Sequence, residues 1–360
     1  MKTPLFVTGT GRSVGKTVVT LGLMLELARS HRLGFIKPLG LARLRAGRDG
    51  IDLDAMLIEK TCGLHENIKD MCPVTLSHAE WPEVTEQDSE RMMVRIREAF
   101  ERVRHDRDLV VVEGTGHAAL GTALGLSNAR VAAEFGCRVL LVASYGVRSS
   151  NPFDHAALNR HFFAAHGVEV IGVVINHIPP EQLDSFTAYA RAQLDRLGLP
   201  LVGALPADPA LKTFRFVQVS EFLEGEFLSG ARSAETIIDR VRVGAMTPHR
   251  AIAFFNPRSL IITPGDREDI IVTACACASR KQGGPAGLVL SGAQRPHAHI
   301  LELLEESRLP TFLAREDSYT VASKIHDMPL RIVPTDAEKI SKVQQLVLDL
   351  VDVEAVVGRL

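Results

Sequence analysis

Six short runs in the 360-residue sequence have continuous rather than alternating apolar centres: PLFVTG near the start, then RLGFIKP, DLVVVEG, GCRVLLVAS, VEVIGVVINH and LPLVGALP. A strand with one face in water alternates apolar and polar residues, whereas a strand covered on both faces does not. Amphipathic stretches separate the runs. KTVVTLGLMLELARSH carries Val18, Leu21, Leu25 and Ala28 on one stripe, DLDAMLIEKTCG ends at Gly63, and DSERMMVRIREAFERVRHD is long and charged. Buried strands alternating with helices predict an α/β fold over residues 1–212, a parallel sheet with helices on both faces. PVTLSHAEWPEVTEQ is rich in turn residues and reads as a loop. Further on, SLIITPG, AGLVLSG and PTFLARE predict a second, smaller α/β domain over residues 213–335. The last stretch, residues 336–360, predicts a helix with Ile340, Val343, Leu346 and Leu350 on one stripe, which packs back on the body or joins a partner.

Composition excludes several classes. A formal net charge of −2, with no long basic run, argues against a nucleic-acid partner. No apolar run reaches membrane-spanning length, and the N-terminus lacks signal-peptide anatomy. The five cysteines, Cys62, Cys72, Cys137, Cys275 and Cys277, fit no zinc framework and suit a reducing, cytoplasmic compartment.

The first run leads directly into FVTGTGRSVGKTVVT, residues 6–20. A dinucleotide loop needs G-x-G-x-x-G, but here the third glycine, Gly15, comes one residue late. The mononucleotide pattern G-x-x-x-x-G-K-[ST] fits better, although Thr10 stands where its leading glycine belongs and the glycine is displaced to Gly9. Gly11 and Gly15 allow the backbone to turn its N–H groups inward around an anion. Lys16 supplies a mobile charge for the β- and γ-phosphates. Thr17 offers a hydroxyl to Mg²⁺ and opens a helix whose N-terminus favours phosphate. The nucleotide contacts expected here are Thr10, Gly11, Arg12, Ser13, Val14, Gly15, Lys16, Thr17 and Val18. A phosphate loop also needs acids for its metal. Glu113, ending DLVVVE, is one candidate and Asp54 a second; a solvated strand-end carboxylate and a helix-start charge are the plainer readings of the two.

These pieces together resemble dethiobiotin synthetase. GTGRSVGKT matches that family's G-T-x-x-x-V-G-K-T loop, IKP at 36–38 its strand ending in a substrate-side lysine (Lys37 here), LDA its metal-binding aspartate (Asp54), and VEGTGH its E-G-A-G-G segment with Glu113. The resemblance implies catalytic roles for Lys16 and Lys37, and metal binding by Thr17, Asp54 and Glu113. In VVINHI it implies adenine recognition by Asn176, whose amide suits adenine's N6 and N7 and equally suits capping a turn. In GALPAD it implies a base-side loop that includes Pro206. The sequence departs from that family in three places. Arg12 and Ser13 replace an acidic loop pattern, Leu41 falls where a substrate serine is expected, and Arg43, Arg45 and Arg48 follow. Three arginines do not suit a cationic diamine; they suit an anionic ligand or a solvated loop. The signature lysine of partitioning-type ATPases would fall at Gly11 and is absent.

The second half, including VRVGAMTP, LIITPGDREDII, AGLVLSGAQRP and PTFLAREDSYTVASKI, resembles the DRTGG domain. A synthetase-like domain followed by DRTGG is similar to the N-terminal region of long phosphate acetyltransferases. The fold expected is therefore a P-loop NTPase-type parallel sheet followed by a DRTGG domain. The chain stops where the acetyltransferase domain would begin, so phosphate acetyl transfer is not expected. Gly265, Asp266 and Arg267, Gly292 and Arg295, and Tyr319 with Thr320 follow strands. They suggest an anion site or a dimer contact, although turn chemistry also accounts for them. The function expected is Mg-ATP binding with a regulatory or metabolite-sensing role and slow or no hydrolysis. The alternative is an ATP-dependent ligase acting on an unidentified carboxylate or amine. A homodimer is implied by the synthetase resemblance.

Overall fold

A computed structural model describes residues 2–41, 51–76, 80–146, 151–279, 283–328 and 331–360. It divides into two units, residues 1–208 with 332–360, and residues 209–331. Among the described residues no helix is long and apolar enough to cross a membrane.

In the first unit the elements run β1 (Leu5–Gly9), α1 (Lys16–Leu27), β2 (Leu33–Ile36), β3 (Leu39–Leu41), α2 (Leu53–Cys62), α3 (Ile68–Met71), β4 (Val74–Leu76), α4 (Glu86–Arg104), β5 (Leu109–Glu113), α5 (Asn128–Glu134), β6 (Arg138–Ser144), α6 (Pro152–Ala164), β7 (Val170–Ile178), α7 (Leu183–Arg196) and β8 (Leu201–Pro206). The six apolar runs form one parallel sheet in the order β2-β5-β1-β6-β7-β8. Strand β5 is buried along its whole length, as two-sided cover requires. Phe6, Val110 and Val112 pack with Ile96 and Phe100 of α4 and Phe163 of α6 on one face. Strand order reverses at β1: the chain first moves to one side, to β2 and β5, then to the other, to β6–β8. Such a switch point opens a crevice at the carboxyl ends of the strands, where the loop after β1 lies.

Two expectations change. The stretch after Pro73, read as a loop, supplies β4, which pairs in parallel with β3 from Leu39↔Val74 to Leu41↔Leu76. Each strand has only three residues, too few for periodicity to register. Helix α1 is buried on more than the Val18–Leu21–Leu25–Ala28 stripe. Val19, Thr20, Leu21, Gly22, Leu23, Met24 and Leu27 are buried, while Ala28 is exposed.

The second unit contains β9 (Phe214–Arg215), α8 (Phe216–Phe222), β10 (Gly225–Ser229), β11 (Ile237–Ile238), β12 (Arg240–Val243), α9 (Pro248–Ala251), β13 (Ser259–Pro264), α10 (Glu268–Ala278), β14 (Gly287–Ser291), α11 (Ala298–Ser307), β15 (Thr311–Ala314) and α12 (Ser318–His326). Its sheet runs β10-β15-β14-β13-β12, parallel except for β10. Ile262, Val289 and Phe312 pack with Phe216 of α8 and Val321 of α12, while Ile261, Leu288 and Leu290 pack with Ile271 of α10 and Leu304 of α11. Strands β12 to β15 lie in chain order, so the strand order has no reversal and no switch-point crevice.

The chain then returns to the first unit. Helices α13 (Ala337–Leu350) and α14 (Val353–Val357) follow, and α13 lies on α1. Val343, Leu346 and Val347 of α13 are buried. The helices approach closely at Gly22, where a Cβ would stand 2.3 Å from a Val347 methyl. Val351 bridges Gly203 on the free edge of β8. The second cover over α1 is the physical reason that its buried surface exceeds one stripe.

Candidate functional site

The loop after β1 is held from both sides. Gly9 N–H donates to Gly116 O at 3.1 Å and Thr10 N–H to Val142 O at 2.9 Å. Arg12 and Ser13 are exposed, Val14 is buried, and Gly11 and Gly15 are half-buried. Ser13 and Gly15 take left-handed backbone conformations, with φ of 54° and 88°. Gly15 is required twice over, because a Cβ there would also stand 2.0 Å from the Asn176 amide nitrogen. Gly15 is the N-cap of α1, so no side-chain oxygen caps that helix, and its first turn holds no acidic residue. The first-turn N–H groups, which include those of Lys16, Thr17 and Val18, have no intrahelical acceptor. A phosphate group satisfies these donors and the helix dipole together.

Beneath the loop, parallel register sets Val7 of β1 beside Glu113 of β5. Glu113 is 1% exposed, and Thr17 Oγ1 donates to its Oε1 at 3.3 Å. Its Oε2 is buried without a hydrogen-bond partner among the described residues. Burial pushes this carboxyl up to about 7; Lys37 and Lys16 pull it down and Asp54 pushes it up, each less than burial does. Lys16 is also lowered, first by burial, against the pull of Glu113.

Lys37, just past the end of β2, is 5% exposed. Its ammonium lies 3.0 Å from Asp52 Oδ1, in contact with Asp54, and 3.8 Å from Glu113 Oε1. Burial alone would lower its pKa, but the carboxylates of Asp54, Asp52 and Glu113 hold it well above the usual lysine value. Asp52 also caps α2, accepting from the N–H groups of Asp54 and Ala55 at 2.9 and 3.1 Å. Lys37 thus occupies the centre of an acid cluster that the sequence reading divided between a substrate lysine and a metal ligand. Asp52 was missed. Its signal is the D-L-D spacing at a helix start, where an N-cap and a first-turn acid fall together.

Thr17 and the orphaned Glu113 oxygen suit a hydrated Mg²⁺ brought in with phosphates, which supply further ligands. Among the described residues, no three His, Cys, Asp or Glu side chains form a metal-binding group by themselves. Asn176 and Pro206 lie at the carboxyl ends of neighbouring strands, β7 and β8, where Ile178 pairs with Pro206. The Asn176 amide donates to Val14 O at 3.2 Å, and its oxygen accepts from His177 N–H at 2.8 Å. In this arrangement it braces the loop. Arg43, Arg45 and Arg48 lie outside the described residues, as does the Leu41 side chain.

In the second unit the strand-end residues have local partners. Arg267 binds Asp269 and Met246 O at 2.8 and 2.9 Å, Arg295 binds Glu226 at 2.8 Å, and Thr320 donates to Asp317 at 2.6 Å. Tyr319 is 82% exposed.

A parallel sheet with a glycine loop at its switch point, and G-K-T opening the next helix, defines a P-loop NTPase-like domain. The chain belongs to the AAA domain family AAA_26, matched over residues 3–214, and residues 218–328 match the DRTGG domain. It is 26% identical to the phosphate acetyltransferase of Pseudomonas aeruginosa, over 97% of this chain and 51% of that protein. It is likewise 26% identical to the enzyme of the same name from Deinococcus radiodurans, over 100% of this chain and 51% of the other. The chain therefore spans about half the length of these curated relatives, consistent with the N-terminal region of the long proteins of that family. Among solved structures, the MinC:MinD cell division complex of Aquifex aeolicus aligns with 58% of this chain and 83% of its own, at 16% identity and a TM-score of 0.37. The CBS and DRTGG domains of the Clostridium perfringens pyrophosphatase regulatory region align with 48% of this chain and 76% of their own, at 15% identity and a TM-score of 0.28.

Proposed function

We propose that the chain binds Mg-ATP at residues 10–18 and serves as a regulatory or metabolite-sensing protein, with slow or no hydrolysis. The observation that carries the reading is the uncapped N-terminus of α1, with Lys16 beside it and the Thr17–Glu113 pair beneath. Lys16 contacts the β- and γ-phosphates, and the loop N–H groups hold the phosphate oxygens. Thr17 and Glu113 would hold a Mg²⁺ ion, which would supply positive charge to the phosphates. Asn176 and Pro206 flank the side on which the base lies. Slow turnover follows from Lys37. Its ammonium engages Asp52 and Asp54, whose oxygens are thereby held by a cation rather than turned to an attacking water.

Calorimetric titration of the full chain with ADP and ATP in Mg²⁺ tests this. Lys16→Ala is expected to weaken both nucleotides by at least tenfold. At a hundredfold excess over its Kd, nucleotide should stabilise the natural chain by about 2.7 kcal/mol. Unchanged affinity in the variant would remove the loop from the site.

A further inference from the structure

Near the carboxyl end of β7 stands a histidine that the nucleotide reading leaves unused. Between Ile175↔Ala204 and Ile178↔Pro206 the β7–β8 register shifts, with one residue more on β7 than on β8. Bulges of this kind re-aim a side chain, and within this one His177 takes a left-handed backbone conformation, φ 63°. Glycine adopts that conformation without steric cost. The backbone alone therefore favours glycine here, yet the sequence places an imidazole.

Local bonds fix where the ring lies. His177 N–H donates to Asn176 Oδ1 at 2.8 Å, the Asn176 amide donates to Val14 O at 3.2 Å, and Tyr145 N–H donates to the Asn176 carbonyl at 2.8 Å. Ring Nδ1 lies 2.9 Å from the hydroxyl of Ser144, the buried last residue of β6. Ring Nε2 is turned to the phosphate loop, where a Cβ at Gly15 would stand 3.7 Å from it. The half-buried imidazole thus lies between the end of β6 and the N-cap of α1.

Strand order adds a direction. Glu113 ends β5, on one side of β1; His177 lies on β7, on the other side and beyond β6. The two strands are three spacings apart, about 14 Å. A nucleotide with its phosphates at the N-terminus of α1, beside Thr17 and Glu113, extends its nucleoside toward β7. With its nitrogens turned to Ser144 and to the loop, the imidazole meets such a ligand through a ring face, the surface on which a nucleobase stacks.

The geometry points to His177 as a nucleoside-recognition residue: its imidazole, positioned by Ser144, stacks on the base of the nucleotide whose phosphates occupy the loop. The inference rests on the nucleotide reading above and adds what separates ATP from a bare polyphosphate at that site.

The full chain is titrated by calorimetry with Mg-ATP and, separately, with Mg-tripolyphosphate, which has no base. His177→Gly keeps the left-handed backbone and removes the ring. It is expected to weaken ATP about tenfold, the size of one base–aromatic stack, and to leave tripolyphosphate within twofold. Ser144→Ala should give a smaller loss of the same kind. In NMR spectra of the natural chain, the histidine ring-proton resonance missing from His177→Gly should move upfield with ATP and stay in place with tripolyphosphate. His177→Asn, whose residue type also tolerates this backbone, serves the same measurements should the glycine variant not fold. Unchanged ATP affinity, an equal loss for tripolyphosphate, or an unmoved resonance overturns the proposal. If the natural chain binds neither ligand, the nucleotide reading itself fails and the role of His177 falls with it; a failure of His177 alone shows instead as tight ATP binding with the same preference over tripolyphosphate in chain and variant.

Discussion

Lys37 and Glu113 show how much of the site depends on single side chains. Bringing a lysine ammonium to 5% exposure is costly unless carboxylates meet it, and three do. Glu113 sits at the crowded end of that cluster and keeps its proton to about pH 7, against an ordinary value near 4.5. Between those two values the folded chain binds more protons than the unfolded one. The contribution of Glu113 is therefore fully present below about pH 4.5 and is lost as pH rises through about 7. Without metal or nucleotide, urea unfolding of the natural chain should show this decline, and Glu113→Gln should flatten it. An equal decline in the variant would assign the effect to another group. This chemistry was only partly legible in the sequence. Lys16, Thr17 and Glu113 announce themselves through local spacing and a strand end. The embrace of Lys37 by Asp52, Asp54 and Glu113 joins residues far apart in the chain and exists only once β2, α2 and β5 are assembled.

At the scale of elements, legibility followed burial. Six strands were readable because cover on both faces makes their sequences continuously apolar. Strands β3 and β4 were not, because three residues carry no period. The stripe on α13 was readable, but not what it packs against. Gly22 of α1 marks that contact. Alanine there gains about 1 kcal/mol of helix propensity, while forcing a methyl against Val347 costs about 1–3 kcal/mol. That methyl would also stand only 2.6 Å from the Val347 Cβ, so a rotamer change does not relieve the clash. The second effect should win: Gly22→Ala is expected to lower the denaturation midpoint, and Val347→Ala added to it should recover part of the loss. Additive losses would mean that the two residues do not share a contact.

For the whole molecule, the first unit has two stretches of chain, residues 1–208 and 332–360, with the second unit between them. Val343, Leu346, Val347, Val351 and Val356 are buried in the later stretch. At about 1.5–3 kcal/mol for each fully buried side chain, their loss is comparable with the ~5–15 kcal/mol by which a domain is stable. A chain ending at residue 331 should therefore lose hydrogen-exchange protection in α1 and β8 while β13 and β14 keep theirs. Full protection of α1 in that chain would show that α13 is dispensable.

The return of α13 to α1 also sets an order of events during synthesis. Domains commonly fold from the N-terminus onward as they leave the ribosome. Here the helix that covers the phosphate-loop helix is translated after every strand of the second unit. The later-made unit has all its residues first, and the P-loop domain must wait, with one side of α1 uncovered, for α13.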